Sequence, residues 1–190
     1  MVVGILALQG AYEQHRRMLG ALGVEGRLVR TPDELDACAA LIVPGGESTT
    51  MTRLMQANGL FEPLRAYARD HSLMGTCAGL IMMAERVDDA RVTPLGLLPI
   101  EVGRNRYGRQ IHSFMAPVQL AFDPEGAPFE AVFIRAPAIT DMSAEVEVLA
   151  RHQDRPVMVR HGRHLGLTFH PELTDDLRIH RYWLEELAGG

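Results

Sequence analysis

Three apolar segments in the first half of the chain are each followed by a glycine-containing turn and a helical segment. They cover residues 2–8, 41–43 and 73–76, and none of them alternates strictly between apolar and polar residues. Such runs are typical of parallel strands that are buried on both faces. Ligands of a parallel sheet bind beyond the carboxyl ends of its strands, so these turns are predicted to share one crevice.

Helical periodicity and turn residues predict the remaining elements. The predicted helices cover residues 11–22, a short segment that starts at 31–33, residues 48–58 with Ser48 as the cap, roughly 60–70, 80–84, and a last helix that opens at Asp175 and Asp176. Further strands are predicted over residues 28–30, 115–121, 131–135, 145–151, 156–160 and 164–169. For residues 1–190 we predict one α/β domain, a three-layer sandwich with a mostly parallel central sheet, helices on both faces and an antiparallel extension.

Length and charge restrict the class of protein. The 190 residues are enough for a substantial core, and the net charge of −5 gives no general attraction to nucleic acid. No signal peptide or membrane span is predicted, because there is no basic leader and no long apolar run. With only two cysteines, we expect a cytoplasmic setting in which thiols stay reduced.

The chain contains no lysine: all 19 of its basic residues other than histidine are arginines. A lysine Schiff base and the phosphate-binding lysine of a P-loop are therefore excluded. Lysine-dependent imine chemistry cannot take place on this chain.

Cys77 lies in the sequence Gly-Thr-Cys-Ala-Gly of residues 75–79, between a predicted strand and a helix. A nucleophile on a sharp strand-to-helix turn needs small neighbours, which the two glycines and the alanine supply. The N-terminus of the helix favours the thiolate form of a cysteine placed there. Cys38 has no turn residues after it and is interpreted as a packing residue.

His170 and Glu172 lie in the sequence His-Pro-Glu, with His170 placed 93 residues after Cys77. On an extended segment, side chains two residues apart point to the same side. A thiol, a base and a carboxylate that orients the base suit acyl transfer through a thioester. Each fragment alone is more often an inert core cysteine or a strand end, but together with the glycine turn at 45–46 they favour a catalytic site.

Four other histidines receive structural interpretations. His161 and His164 have a metal-like spacing, but no cysteine or acidic cluster accompanies them, so a surface turn is favoured over a zinc site. His15 and His180 are interpreted as packing or surface residues. We expect no metal and no cofactor.

Six segments that span nearly the whole chain carry a family pattern: GILALQG (4–10), PGGESTTM (44–51), GTCAGLI (75–81), RN with GRQ (104–105 and 108–110), FIRAP (133–137) and FHPELTDD (169–176). The cysteine turn and His-Pro-Glu resemble the class I (triad) glutamine amidotransferases. Gly-Gly-Glu-Ser-Thr-Thr, Gly-Arg-Gln and Ile-Arg-Ala-Pro are similar, more narrowly, to the glutaminase subunits of pyridoxal 5′-phosphate synthase.

The resemblance implies an enzyme that hydrolyses L-glutamine to L-glutamate and ammonia. Cys77 is implied as the nucleophile, His170 as base and acid, and Glu172 as the partner of His170. Candidate donors to the tetrahedral oxyanion are the backbone N–H groups of Gly46 and Ala78.

A glutamine pocket is also implied by position. Its residues would be Gly46, Glu47, Ser48, Arg104, Ile134 and Arg135. Glu47 would bind the α-ammonium group of glutamine, and Arg104 or Arg135 its α-carboxylate. Glu47 is also interpreted as a first-turn acid that the helix dipole favours.

The chain departs from the family pattern at Arg106, Tyr107, His112 and Met115. None of these four residues belongs to the implied triad. The departures therefore concern the rim of the pocket.

The resemblance implies that ammonia passes to a separate, barrel-shaped synthase subunit of pyridoxal 5′-phosphate synthase. A glutaminase subunit for another acceptor enzyme is an alternative. A second alternative is a redox or stress protein with the same cysteine turn, although a redox sensor needs no His-x-Glu pair. A catalytically silent regulatory subunit is a third, which the intact triad disfavours.

Overall fold

A central sheet covered by helices organises the computed structural model, which describes residues 1–103 and 113–189. The strands are β1 (Val2–Leu6), β2 (Glu25–Val29), β3 (Ala40–Val43), β4 (Ser72–Thr76), β5 (Ala84–Val87), β6 (Leu98–Gly103), β7 (Ser113–Val118), β8 (Phe129–Ile134), β9 (Ala138–Met142), β10 (Glu147–His152), β11 (Arg155–His161) and β12 (His164–Leu167). The helices are α1 (Tyr12–Ala21), α2 (Pro32–Asp36), α3 (Ser48–Ala57), α4 (Phe61–Tyr67), α5 (Ala78–Met83) and α6 (Arg178–Tyr182). A short 3₁₀ turn covers Pro171–Leu173, and a wider π-type turn covers Trp183–Ala188.

Within the described residues the central sheet has seven strands, in the order β10-β11-β12-β4-β3-β1-β2. From β12 to β2 the neighbouring strands pair in parallel, whereas β11 is antiparallel to both of its neighbours. The predicted parallel sheet with an antiparallel extension is confirmed.

Successive residues of the central strands pack into two cores, one on each face of the sheet. Leu41 and Val43 of β3 belong to a core that includes side chains of α2, α3, α4 and α5. Ala40 and Ile42 belong to a second core, which includes side chains of α1 and α6. All four residues are fully buried. The three layers predicted from the sequence follow from this alternation.

Two smaller sheets lie beside the central one. β5, β6 and β9 form a three-stranded sheet, and β7 pairs with β8 as an antiparallel hairpin. The prediction that residues 115–121 and 131–135 extend the central sheet was therefore wrong, since these strands pair with each other. β5, β6 and β9 are not predicted from the sequence: β5 begins at Ala84, the last residue of the predicted helical run 80–84, and Pro99 within β6 argues against a strand.

The C-terminal helix begins later than predicted. It starts at Arg178 rather than at Asp175, because the Asp176 carboxylate accepts a hydrogen bond from the Arg178 backbone N–H at 3.0 Å and so precedes the helix. After Tyr182 the helix widens into the π-type turn, which carries the fully buried Trp183. Across residues 1–103 and 113–189, every helix is too short or too polar to cross a membrane.

The position of two methionines tests this packing. Met74 in β4 is fully buried, whereas Met115 in β7 is 64% exposed. Met74→Ala is expected to lower the free energy of unfolding by about 2–5 kcal/mol, because it leaves a cavity at the centre of the sheet. Met115→Ala, the matched control, is expected to change it by less than about 0.5 kcal/mol. Urea unfolding followed by circular dichroism measures both, and equal effects would contradict the packing described.

Candidate active site

Four neighbouring parallel strands end at one edge of the central sheet, in the order β12, β4, β3, β1. The segments that follow these strands contain His170, Cys77, Gly45 and Gln9, respectively. All four residues line one cavity of about 460 Å³. The predicted crevice at the strand ends is therefore present.

Most of the predicted site residues line this cavity. Within the described part of the chain it is lined by Gln9, Gly10, Ala11, Gly45, Gly46, Glu47, Ser48, Cys77, Ala78, Ile81, Ile134, Arg135, Pro137, His170 and Leu173. Glu172 is fully buried behind His170. Cys77 and His170, both oxyanion candidates and five of the six pocket candidates, Gly46 among them, thus surround one space.

Cys77 sits on a strained turn between β4 and α5, as predicted. Its backbone angles are φ 50° and ψ −106°, a conformation that a residue with a side chain rarely adopts. The Cys77 backbone N–H donates to the Leu167 carbonyl oxygen at 2.9 Å, which ties the turn to β12. A Cβ atom at Gly79 would overlap the carbonyl group of Val43, so only glycine lets the turn lie this close to β3.

The turn after β3 lies against both catalytic candidates. A Cβ atom at Gly45 would overlap the ring of His170 and would lie 3.4 Å from Cβ of Cys77. The Cys77 side chain is almost buried, and its Sγ lies 3.8 Å from the Ile134 carbonyl oxygen. The absence of a side chain at Gly45 therefore allows the thiol and the imidazole to share the cavity wall.

His170 and Glu172 form a direct pair. Nδ1 of His170 donates to Oε1 of Glu172 at 2.7 Å, and both residues are buried. The backbone differs from the prediction, because Pro171–Leu173 is a 3₁₀ turn rather than an extended segment. The pair leaves Nε2 of His170 for the thiol and the substrate.

Electrostatics favour a charged pair. Burial opposes a charge on His170, but its interactions with Cys77 and Glu172 raise its pKa to about 10. Burial also opposes a charge on Glu172, yet His15 and His170 hold the pKa of its carboxyl below the usual range. At neutral pH the site therefore holds an imidazolium ring against a carboxylate.

Glu47, and not Ser48, caps α3. The helix begins at Ser48, so the cap comes from the residue before it, and the Glu47 carboxylate accepts from the backbone N–H groups of Thr49 at 3.2 Å and Thr50 at 2.8 Å. Burial opposes the charge of Glu47, but hydrogen bonds from Thr49 and Thr50 outweigh it and lower its pKa to about 2. The side chain of Gln9 donates to the Glu47 carbonyl oxygen at 3.1 Å, which joins the turns after β1 and β3.

Ser48, Ile134 and Arg135 complete the described wall of the cavity. The hydroxyl of Ser48 is buried and has no hydrogen-bond partner among the described residues. Arg135 is exposed and has a φ of 42°, a second strained backbone at the cavity. A buried hydroxyl and a cation are thus available to a polar ligand.

Some predicted residues fall elsewhere. Arg104 lies outside the described residues, as do Arg106, Tyr107 and His112 of the family departures. Met115 is exposed on β7. The rim assigned to these residues stays a prediction.

The sequence interpretation missed a polar contact behind the triad candidates. His15 is fully buried, with Nε2 3.5 Å from Oε2 of Glu172 and Nδ1 3.0 Å from Nε2 of His180. The sequence signal is the place of His15 on the apolar stripe of α1, together with Leu19, and this predicts burial. The partner could not be predicted, because α1, α6 and the 3₁₀ turn are far apart along the chain.

Cys38 is a packing residue, as predicted. It is buried in the core between β3 and the helices, and its thiol donates to the Glu34 carbonyl oxygen at 3.3 Å. Burial raises the pKa of this thiol. His161 and His164 flank the turn between β11 and β12, where Gly162 has a φ of 56°, so the predicted turn is also confirmed.

Solved structures place this fold in a class. A crystal structure of a glutamine amidotransferase matches this chain with a TM-score of 0.92 and 45% identity, and the match covers 100% of both chains. PurLQS from Thermotoga maritima shares the fold at a TM-score of 0.65 and 19% identity, covering 100% of this chain and 92% of that one. The fold is that of a class I glutamine amidotransferase.

The chain belongs to the SNO glutamine amidotransferase family, whose pattern matches residues 5–189. Pyridoxal 5′-phosphate synthase subunit PdxT of Pelotomaculum thermopropionicum is 49% identical over 187 residues, which cover 98% of this chain and 95% of that protein. The subunit of the same name from Pyrococcus furiosus is 49% identical over 198 residues, covering 98% of each. The predicted enzyme class is confirmed, which disfavours the redox-protein alternative.

The His170–Glu172 pair generates a prediction for titration. Glu172→Gln is expected to lower the pKa of His170 from about 10, because a neutral amide cannot offset the burial that opposes the charged ring. The ring then loses its proton at a lower pH than in the unmodified chain. The Hε1 resonance of His170, assigned with a His170→Asn variant, measures this shift by NMR. Glu13→Gln on the exposed face of α1 is the control, and an unchanged pKa in Glu172→Gln would contradict the pairing.

Proposed function

We propose that this chain hydrolyses L-glutamine to L-glutamate and ammonia through a thioester on Cys77, and supplies the ammonia for pyridoxal 5′-phosphate biosynthesis. One observation carries the proposal: the strained Cys77 turn and the hydrogen-bonded His170–Glu172 pair meet at a single cavity. The identity of 49% to pyridoxal 5′-phosphate synthase subunits supports the choice of pathway.

The first half-reaction forms the thioester. The Cys77 thiolate attacks the side-chain amide carbon of glutamine, and the carbonyl π electrons move to oxygen to give a tetrahedral oxyanion. The imidazolium of His170 donates its Nε2 proton to the amide nitrogen, the C–N bond breaks and ammonia leaves. A γ-glutamyl thioester remains on Cys77.

The second half-reaction returns the enzyme to its starting state. Neutral His170 accepts a proton from water, and the resulting hydroxide attacks the thioester carbon. The C–S bond breaks, glutamate is released and Cys77 is again a thiolate beside an imidazolium. Glu172 stabilises the charged ring in both steps, because Nδ1 donates to its carboxylate at 2.7 Å.

Backbone N–H groups are the proposed donors to the oxyanion. Ala78 is the first residue of α5, where backbone N–H groups have no partner within the helix, and it lines the cavity next to Cys77. Gly46 lines the same cavity, on the turn after β3. Removal of one such donor typically raises the activation barrier by about 3 kcal/mol.

Charged and polar side chains are the proposed ligands of the α-ammonium and α-carboxylate groups of glutamine. Glu47 would hold the α-ammonium group while it caps α3, and Arg135 or Arg104 would hold the α-carboxylate. The unpaired hydroxyl of Ser48 would gain a partner from the substrate. The apolar side chain of Ile134 would contact the aliphatic part of glutamine.

A separate synthase subunit is the proposed partner. The chain has no lysine, so lysine-dependent assembly of the cofactor must occur on another protein. Free ammonia is mostly protonated at neutral pH, which favours delivery within a complex. We place this activity in the cytoplasm, as one glutamine amidotransferase domain of residues 1–190 that needs no cofactor of its own.

Two cysteine variants test the nucleophile. With the synthase subunit present, Cys77→Ala is expected to lower glutaminase activity by about 10³-fold or more, because the thioester cannot form. Cys38→Ala is the matched control and is expected to keep activity within about twofold, since its thiol only packs in the core. Glutamate release measures both. A comparable loss in Cys38→Ala would sink the assignment of Cys77.

A further prediction concerns activation by the partner. The Gly45 carbonyl oxygen accepts from the Ala11 N–H at 3.2 Å, so the Gly46 N–H of the same peptide group points the opposite way. A contact of the synthase subunit with Gln9 or Gly10 can change this orientation, because glycine turns adopt several backbone conformations. The isolated chain is therefore expected to be a slow glutaminase that the synthase subunit accelerates by about tenfold or more.

Coupling of this kind is reciprocal in binding. Glutamine should tighten the complex of Cys77→Ala by the same factor by which the synthase subunit tightens glutamine. Calorimetric titration measures both factors. Full activity of the isolated chain, without response to the synthase subunit, would instead favour an independent hydrolase.

A further inference from the structure

A buried group of polar side chains lies behind Glu172, on the side away from the cavity. It consists of His15 from α1, His180 from α6 and Thr76, the last residue of β4. All three residues, like Glu172 itself, are 0% exposed. Two histidines without access to water need a reason, because buried polar groups are costly unless they are paired.

The contacts of His15 run in two directions. Its Nδ1 lies 3.0 Å from Nε2 of His180. Its Nε2 lies 3.3 Å from the hydroxyl of Thr76 and 3.5 Å from Oε2 of Glu172. The other oxygen of this carboxylate, Oε1, is held by His170 at 2.7 Å. His15 therefore contacts the carboxylate oxygen that the triad leaves free, an oxygen with no hydrogen bond among the described residues.

The network assigns the proton of each ring. Nδ1 of His180 has no partner in the described structure, and a proton there would be a buried donor without an acceptor. Placing the proton on Nε2 of His180 lets that ring donate to Nδ1 of His15. His15 then carries its own proton on Nε2, where the Thr76 hydroxyl accepts it at 3.3 Å, so the Glu172 carboxylate at 3.5 Å lies beside an N–H rather than a lone pair.

We propose that His15 is a positioning residue of the triad: with its tautomer fixed by His180, it places the positive end of an N–H dipole 3.5 Å from Oε2 of Glu172 and so keeps Oε1 on His170. The inference rests on the proposed function, since it assumes that His170 and Glu172 act together. His15 does not line the described cavity and acts only through Glu172.

The charge state of the network agrees with this role. The titratable groups that face His15 are Glu172 and His170 on the segment after β12, and His180 on α6. Burial lowers the pKa of His15 despite the attraction of Glu172, so His15 acts as a neutral donor and not as a second cation. Burial, with His15 beside it, also lowers the pKa of His180.

The test is the pH dependence of glutamine hydrolysis by the complex with the synthase subunit, measured across about pH 3.5–9, a range that includes the usual pKa of a glutamate. His15→Leu is expected to lower kcat by about 2- to 10-fold, the range for loss of one neutral polar contact. KM for glutamine is expected to stay within about threefold, because the residue lies outside the cavity. Without the donor the pKa of Glu172 rises, so the acidic limb of the profile moves to higher pH.

Two variants separate positioning from a structural effect. His15→Gln keeps an N–H near the position of Nε2, and it is expected to restore most of kcat and to return the limb towards that of the unmodified chain. Leu19→Ala removes a buried side chain from the same helix and is expected to lower stability without moving the limb. An unmoved limb in His15→Leu, or no recovery in His15→Gln, would overturn the proposal.

If His15→Leu does not fold, His180→Leu is measured instead. Without the donor from His180, the proton of His15 is no longer fixed on Nε2. A shift of the limb in the same direction supports the proposal, and an unmoved limb overturns it. Cys77→Ala is assayed in parallel. An active Cys77→Ala enzyme refutes the proposed function itself, whereas an inactive one beside an unchanged His15→Leu profile refutes only the role of His15.

Discussion

The parallel pairing of β12, β4, β3 and β1 is the constraint on which the rest of the structure depends. Each of these strands delivers one part of the site at its carboxyl end, and no part is complete without its neighbours. Leu167 pairs with Thr76, so the residues that follow them leave the sheet at the same level. A slip of one residue would turn every side chain of a strand to the opposite face. Register therefore fixes the distance between the thiol turn and the His-Pro-Glu segment.

Close packing at this edge of the sheet brings the reactive side chains together. Gly45 and Gly79 let two turns approach each other without side chains between them, and the Cys77 turn is held in a strained conformation as a result. Burial alone would make both His170 and Glu172 neutral, and their mutual contact opposes it, together with Cys77 beside His170 and His15 beside Glu172. The charged pair is therefore a property of the whole assembled edge, and the buried histidines behind it belong to the same network.

Sequence patterns within single segments predict those features of the fold that depend on a few neighbouring residues. The small neighbours of Cys77 marked its turn, and apolar runs marked the parallel strands, because both signals lie within single segments. Its sequence position favours Ser48 as the cap of α3, but the longer side chain of Glu47 reaches the same N–H groups, and the sequence alone does not rank the two. The contact between His15 and Glu172 joins three distant elements, and no periodicity reports it. The helix cap and the partner of His15 are therefore set by the three-dimensional packing and not by local sequence.

Covalent labelling by a glutamine analogue with an electrophilic side chain tests the central claim most directly. In the complex with the synthase subunit, the reagent should form one adduct, on the peptide that contains Cys77, and excess glutamine should prevent it. Cys38 should stay unmodified, because its thiol is buried in the core and lies outside the cavity. Mass spectrometry of the digested protein reads out both sites. An adduct on Cys38, or an active enzyme that the reagent neither labels nor inhibits, would contradict a thioester mechanism at the strand ends.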